Sequence, residues 1–378
     1  MDELVRLPYH LLMADLLDPD SLRDVVARVL DRPGLTTDEL RRVELVDADH
    51  RIDNMTTAGL HRVSGTLDDG TEWRAFAKVL HPATASPLMQ YVPEDHHAAV
   101  MANLNWLDEP AVYRSGLAAD LPVGLRMPRL WHVVDGDDRI VLWLEQLDAT
   151  SSWELDDYRR AARALGAMSG RWPEARVETE LGLRRRDLGY LFFGKLANVD
   201  LPVVADDAHW ADPVVADATD AEFRRELDAL VARAPARIAE AETLPHAMSH
   251  GDATPHNLLW TDDALVAIDW SYGSSGPLGA DLGQLLAGRF DTGEADPDDA
   301  PKIAEVLLDS YMEGLADEGV HPDPAQVLAG WSTHLAIRSV ISSTVLDHRP
   351  DLDDEARSQL LARRVAAARV GFELDAGR

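Results

Sequence analysis

The sequence contains no cysteine, which excludes disulfides, thiolate metal sites and sulfur nucleophiles. Lysine is nearly as scarce: of 36 basic residues only Lys78, Lys195 and Lys302 are lysines. No apolar run approaches the ~20 residues that a bilayer-spanning helix needs. The opening MDELVRLPYHLLMADLL lacks a basic stretch followed by a long apolar core, so no signal peptide is expected and the expected compartment is the cytoplasm. Positive charge is outnumbered, 67 acidic residues against 36 basic ones, for a formal net charge of −31. Such a field repels phosphate backbones and anionic lipid, so neither nucleic acid nor a membrane is an expected partner. A cationic or amino-bearing small molecule suits it, although acidity also serves solubility alone.

What is present is material for a large core. Hydrophobic residues make up 46% of the 378 positions, with ten Trp, and the length suggests about two domains at ~100–200 residues each. Residues 1–43 read as a helical extension, with apolar spacing in LLMADLL and SLRDVVARVL and Ser21 as an N-cap. Residues 44–148 read as strand-rich: TTAGLHRVSGTL and TEWRAFAKVL flank the positive-φ turn pair Asp69-Gly70, a helix covers about 95–119, and RIVLWLEQLD is a further strand. Residues 149–378 read as mainly helical. Ser151 and Glu154 have capping-box spacing, 204–220 looks like a polar connection, and amphipathic helices are expected at about 221–243, 302–317, 324–345 and 353–371.

The stretch SHGDATPHNLLWTDDALVAIDW, residues 249–270, puts acidic and amide side chains at the end of an apolar hairpin. NLLW and LVAID pair antiparallel around TDDA, which brings Asn257 and Asp269 together at the open end. A carboxylate and an amide oxygen are hard ligands of the kind Mg²⁺ takes, with water and substrate phosphates filling the remaining positions. Asp252, five residues before Asn257, is left for a different task. Singly, such residues are turn and cap formers; the joint spacing on a hairpin is what points to chemistry.

HGDATPHN followed by IDW is similar to the catalytic loop and metal-binding motif of the aminoglycoside phosphotransferase family, which shares the protein-kinase-like fold with choline kinases. The resemblance implies an α+β, bilobal fold, with a small antiparallel-sheet lobe and a larger helical lobe. It implies that Asp252 is the catalytic Asp that orients the substrate hydroxyl and accepts its proton, and that Asn257 and Asp269 hold Mg²⁺. His250 orders the loop, Trp270 follows the metal Asp as in the family, and Asp281 in GPLGADL braces the loop. In WRAFAKVL, alternation puts Phe76, Lys78 and Leu80 on one strand face, a setting Lys enters only with an anionic partner. Lys78 looks like the phosphate-holding Lys of the fold and Glu109 like its helix partner, although Pro110 interrupts a continuous helix there. Thr57, Ala58 and Gly59 resemble the tip of the loop that covers the nucleotide, and Glu145 and Leu147 the adenine-binding hinge. ATP and Mg²⁺ are the implied cofactors.

Two other patterns fail. GYLFFGKL nearly spells a phosphate-binding loop but lacks the Ser or Thr after its Lys and carries bulky residues, so it reads as a helix or packing segment. His96-His97 lacks the i, i+4 spacing of a zinc helix. The expected activity is ATP-dependent phosphoryl transfer to a hydroxyl of a small molecule: an aminoglycoside-like antibiotic, an amino alcohol or a sugar. A kinase of peptide Ser or Thr in a biosynthetic pathway and a non-catalytic nucleotide-binding pseudokinase are the alternatives.

Overall fold

The computed structural model describes residues 16–48, 54–94, 97–148, 152–262, 264–346 and 352–377. The chain divides into two compact units, Met1–Arg114 with Met127–Asp148, and Ser115–Arg126 with Ala149–Arg378. The second boundary falls between Asp148 and Ala149. Residues 115–126 differ from expectation, because the short strand they carry finds its partner in the helical unit.

In the first unit, α1 (Pro19–Val29) starts at Asp18, whose carboxylate accepts the Ser21 amide at 2.8 Å. Asp18, not Ser21, is therefore the N-cap, and Pro19 takes the first helical position, where its missing N–H costs nothing. The helical reading of residues 1–43 holds for α1 but not beyond: β1 (Leu40–Asp47) is already a strand, and residues 1–15 lie outside the described residues. β2 (Thr57–Leu67) and β3 (Glu72–Leu80) form the expected hairpin, with Gly70 at φ 85°. Instead of one helix at 95–119 there are two, α2 (His97–Asn103) and α3 (Asp108–Arg114). After β4 (Leu125–Arg126) the chain returns to this unit with β5 (Leu130–Asp135) and β6 (Ile140–Leu144). The antiparallel sheet runs β1-β2-β3-β6-β5. Leu22, Val25 and Val26 of α1 share a buried cluster with Val63, Ala75, Ala77, Val79, Val141 and Trp143 of the sheet. Alternation along β3 then turns Lys78 to the opposite face.

The second unit is mostly helical. α4 (Leu155–Arg171) buries Tyr158, Ala162, Leu165 and Met168, the stripe expected to be core; its N-cap is Glu154, reciprocated by Asp157, and Ser151 lies outside the described residues. Residues 190–200, the false phosphate loop, are helical, and the expected connection at 204–220 is three short helical pieces, Leu201–Ala205, Asp207–Ala211 and Pro213–Ala218. Each of the last two is capped by an Asp, Asp206 or Asp212, so a composition that reads as polar loop is in fact cap chemistry. α5 (Ala221–Ala241) leads into β7 (His246–Ser249), then the hairpin β8 (Leu258–Trp260) and β9 (Leu265–Ala267), then β10 (Ser274–Pro277). β4 joins β9 in parallel, and β7 pairs with β10. α6 (Ala280–Asp291), α7 (Ala300–Asp317), α8 (Pro324–Leu335) and α9 (Asp354–Ala376) complete the unit. α8 continues through 336–340 in a wider turn, with the Ile341 amide donating to the Ala336 carbonyl at 3.1 Å. α4 and α7 touch backbone to backbone: a Cβ on Gly314 would run into the Arg163 carbonyl, and one on Gly166 into that of Tyr311.

Candidate active site

The loop between β7 and β8 is tied down from behind. Asp281, in the first turn of α6, accepts from the Ser249 hydroxyl at 2.8 Å, the His250 amide at 2.9 Å and the Gly251 amide at 2.8 Å. A carboxylate at a helix N-terminus is favoured by the helix dipole, and here it also satisfies a loop whose amides have no strand to pair with. Gly251 takes φ 77°, and a side chain there would strike the Tyr272 carbonyl; only glycine meets both conditions. His250 is fully buried against Trp270, with ring centroids 4.6 Å apart. Its Nε2–H donates to the Ile268 carbonyl at 2.9 Å, and its Nδ1 accepts the Asp252 amide at 3.3 Å. His250 thus links the loop to the hairpin.

These contacts deliver Asp252 to Asn257. The Asn257 Nδ2 donates to both the backbone carbonyl and Oδ2 of Asp252, each at 2.9 Å. With the amide nitrogen so engaged, the orientation of the amide is fixed and Oδ1 points away from Asp252. Pairing of Leu258 with Ala267, and the Ile268 amide donating to the Asn257 carbonyl at 2.9 Å, set Asn257 opposite the chain just before Asp269. Asp269 itself holds φ 56° and ψ 70°, a left-handed conformation that turns the chain sharply off the strand. One amide oxygen and one carboxylate fit a Mg²⁺ ion, which keeps most of its shell for water and phosphate. Among the described residues no group of three or more His, Cys, Asp and Glu forms a rival metal site.

Three residues around Asp252 carry no sequence signal. Arg338, in the wide turn after α8, donates from Nη2 to Asp252 Oδ1 at 2.8 Å, and Gln284 of α6 donates to the same oxygen at 3.2 Å. Tyr272 lies against both Arg186, 4.5 Å from its ring centroid, and Arg338, at 5.2 Å. Burial pushes the Tyr272 hydroxyl up, and the carboxylates of Asp252 and Asp269 add to the shift. Arg338 follows Asp252 by 86 residues, and no motif spans that distance. The only local sign is the wide turn, a distortion that occurs often at functional sites. His256 is half exposed and pairs with Glu294 at 2.8 Å, outside this arrangement.

The first unit holds the other expected residues. Lys78 Nζ and Glu109 Oε2 are 2.8 Å apart, with side chains only 6% and 2% exposed. Pro110 does not oppose the pair: α3 begins at Asp108, so the proline sits in the first turn, where it needs no N–H partner. Thr57, Ala58 and Gly59 are not the tip of a loop. They open β2, with Thr57 opposite Leu80 and Gly59 opposite Val79, and the irregularity between them is a bulge at Ala58. The β-prone run that follows pulls them into the sheet; of the loop before them, residues 49–53 lie outside the described residues. Glu145 makes a two-way contact with Arg129, its amide donating to the Arg129 carbonyl at 2.9 Å and its carboxylate accepting the Arg129 amide at 3.1 Å. Leu147 follows on the same half-buried segment.

The profile of the phosphotransferase enzyme family that includes the aminoglycoside phosphotransferases matches residues 66–316. The chain belongs to this family. It is a phosphotransferase of the small-molecule kinase kind, with an alcohol group as acceptor, and its strand-rich and mainly helical units make an α+β fold. Curated protein sequences give no match to the chain. Among solved structures it is similar to an amicoumacin kinase in complex with AMP-PNP and Ca²⁺, at 12% identity over 94% of each chain and a TM-score of 0.47. It is also similar to a choline kinase from Cryptosporidium parvum, at 12% identity over 95% of this chain and 97% of that one, TM-score 0.48. An aminoglycoside phosphotransferase from Streptomyces rimosus matches at 17% identity over 84% and 97%, TM-score 0.37. The family match starts inside β2 and ends at the last turn of α7, so Thr57, Ala58, Gly59 and Arg338 all lie outside it. No helix among the described residues is long and apolar enough to cross a membrane.

Proposed function

We propose that this phosphotransferase moves the γ-phosphoryl group of ATP to a hydroxyl of a small molecule in the cytoplasm, with Asp252 as the base. The observation that supports it best is the pairing of Asp252 with Asn257, an amide whose nitrogen holds the base and whose oxygen is left for a metal. In this reading Asp252 orients the acceptor hydroxyl and takes its proton. The acceptor oxygen bonds to Pγ as the bond from Pγ to the β,γ-bridging oxygen breaks, and ADP leaves. Asn257 Oδ1 and the Asp269 carboxylate would hold Mg²⁺, which would offset the charge that develops on the phosphate groups. His250 and Asp281 act by fixing the loop. In the strand-rich unit, Lys78, set by Glu109, would hold nucleotide phosphates; Glu145 and Leu147 would present backbone groups to adenine, and Thr57, Ala58 and Gly59 would approach the nucleotide from the start of β2. The overall charge of −31 favours acceptors that carry an amino group, such as an aminoglycoside-like antibiotic or an amino alcohol, over a plain sugar.

The test is Mg²⁺-dependent turnover of ATP against pooled aminoglycosides, amino alcohols, sugars and hydroxy acids, read as a mass gain of one phosphoryl group. Asp252→Asn should lower turnover by ~10²-fold or more while nucleotide still binds. Turnover unchanged in that variant, or no nucleotide binding by the wild-type protein, would sink the reading.

A further inference from the structure

Arg338 is a cation placed directly on the candidate base, and the family match does not reach it. Resting on the reading of Asp252 as base, we infer that the acceptor carries an anionic group, a carboxylate or a phosphate, beside the hydroxyl that is phosphorylated. That group takes the place of Asp252 as the partner of Arg338. Four observations lead there. The bond to Asp252 is the only hydrogen bond Arg338 makes among the described residues, so of its five N–H donors four await a partner. The side chain is 18% exposed and none of these nitrogens is sealed from solvent, so a ligand can reach them. Their planar fork matches the two oxygens of a carboxylate or phosphate. Arg186 faces the same Tyr272 ring, which sets two guanidinium groups near the base of a protein whose net charge is −31.

Asp252 is the other side of the contact. Its Oδ1 accepts from Arg338 and Gln284, and its Oδ2 from Asn257. A hydroxyl that approaches Oδ1 therefore competes with Arg338 for it. Transfer of Arg338 to an anion on the acceptor leaves Oδ1 with Gln284 alone and makes room for the hydroxyl as it arrives, so docking and activation become one event. Within the acceptor classes above, this selects acid-bearing members: amino alcohols with a carboxylate or phosphate, or sugar acids. An amino group answers the field of the whole protein, and the acid answers Arg338.

Matched acceptor pairs test this: D-glycerate and glycerol, gluconate and glucose, 4-amino-3-hydroxybutyrate and 1-amino-2-propanol, with glycerol 3-phosphate as the phosphate arm. In the wild-type enzyme the acid member of at least one pair should exceed its partner in kcat/KM by about tenfold or more, the scale of one charge-assisted hydrogen bond. Arg338→Gln should collapse that ratio toward one, through KM of the acid member, and Arg338→Lys should keep part of it; the carboxylate and phosphate arms show which anion is preferred. A ratio that Arg338→Gln leaves unmoved, or an equal kcat loss on every acceptor as expected if Arg338 served the transferring phosphoryl group, would overturn the inference and leave the proposed function standing. If no acceptor in any class is phosphorylated, the proposed function fails instead. Calorimetry of D-glycerate and glycerol 3-phosphate with the Mg²⁺–AMP-PNP-loaded protein then decides the inference: binding that Arg338→Gln removes supports it, and its absence overturns it.

Discussion

Lys78 and Glu109 show how much a single pair of side chains contributes. Two charges that are more than nine-tenths buried hold each other in place at 2.8 Å, and removing one strands the other. Glu109→Ala should destabilise the protein by about 3–5 kcal/mol, whereas Lys78→Met combined with Glu109→Leu should recover most of that loss. Urea unfolding of the three variants checks it; a double variant no better than the single one would mean that the pair stabilises the fold outright. From local pattern the pair was legible at one end only; the family resemblance supplied Glu109, and the two do meet. A lysine on the apolar side of a strand announces that an anion must be near, but which acid supplies it depends on where α3 starts. Pro110 became compatible once that start was fixed at Asp108. Asp252, Asn257 and Asp269 were legible because a loop and a hairpin contiguous in sequence build all three. Arg338 and Gln284 reach the same carboxylate through helix packing, which local pattern does not encode.

At the scale of elements, the contact between α4 and α7 reverses a common rule. Glycine inside a helix is usually improved by alanine, by roughly 0.5–1 kcal/mol. Gly314 lies inside α7, but its missing Cβ is the space taken by the Arg163 carbonyl of α4. Gly314→Ala should therefore destabilise, by about 1–3 kcal/mol, because backbone on both sides must move apart. A rise in the denaturant midpoint would show that the two helices separate at no cost. The same dependence on neighbours explains where element reading failed. Helix and strand interiors follow from periodicity, as in α4 and the β2–β3 hairpin. The start of β2 at Thr57 and the short helices capped by Asp206 and Asp212 follow from pairing and capping, which a polar composition conceals.

For the whole molecule, two electrostatic effects compete as pH falls. Relief of self-repulsion in a chain of net charge −31 stabilises the folded state. Burial works against it by holding His61, His81 and His132 below their usual range, and His334 down to about 3 with help from the charge of Arg338. A histidine with a depressed folded pKa adds stability above its unfolded value near 6.5. That stability is lost as pH drops, because only the unfolded chain takes the proton; for His334 the slope is at most ~1.4 kcal/mol per pH unit. In ~0.5 M salt, where surface repulsion is screened, Tm should fall steadily from pH 7 to pH 5, and less steeply in His334→Leu. A Tm that rises over that range would give the net charge the larger share. The path of the chain between its units also has a consequence for synthesis on the ribosome. β4 belongs with β9, yet Leu125 is made ~140 residues before its partner Leu265. At ~5–20 residues per second that is a wait of roughly 7–30 s, during which the sheet of the first unit can be completed while the strand emerging from its middle has nothing to pair with.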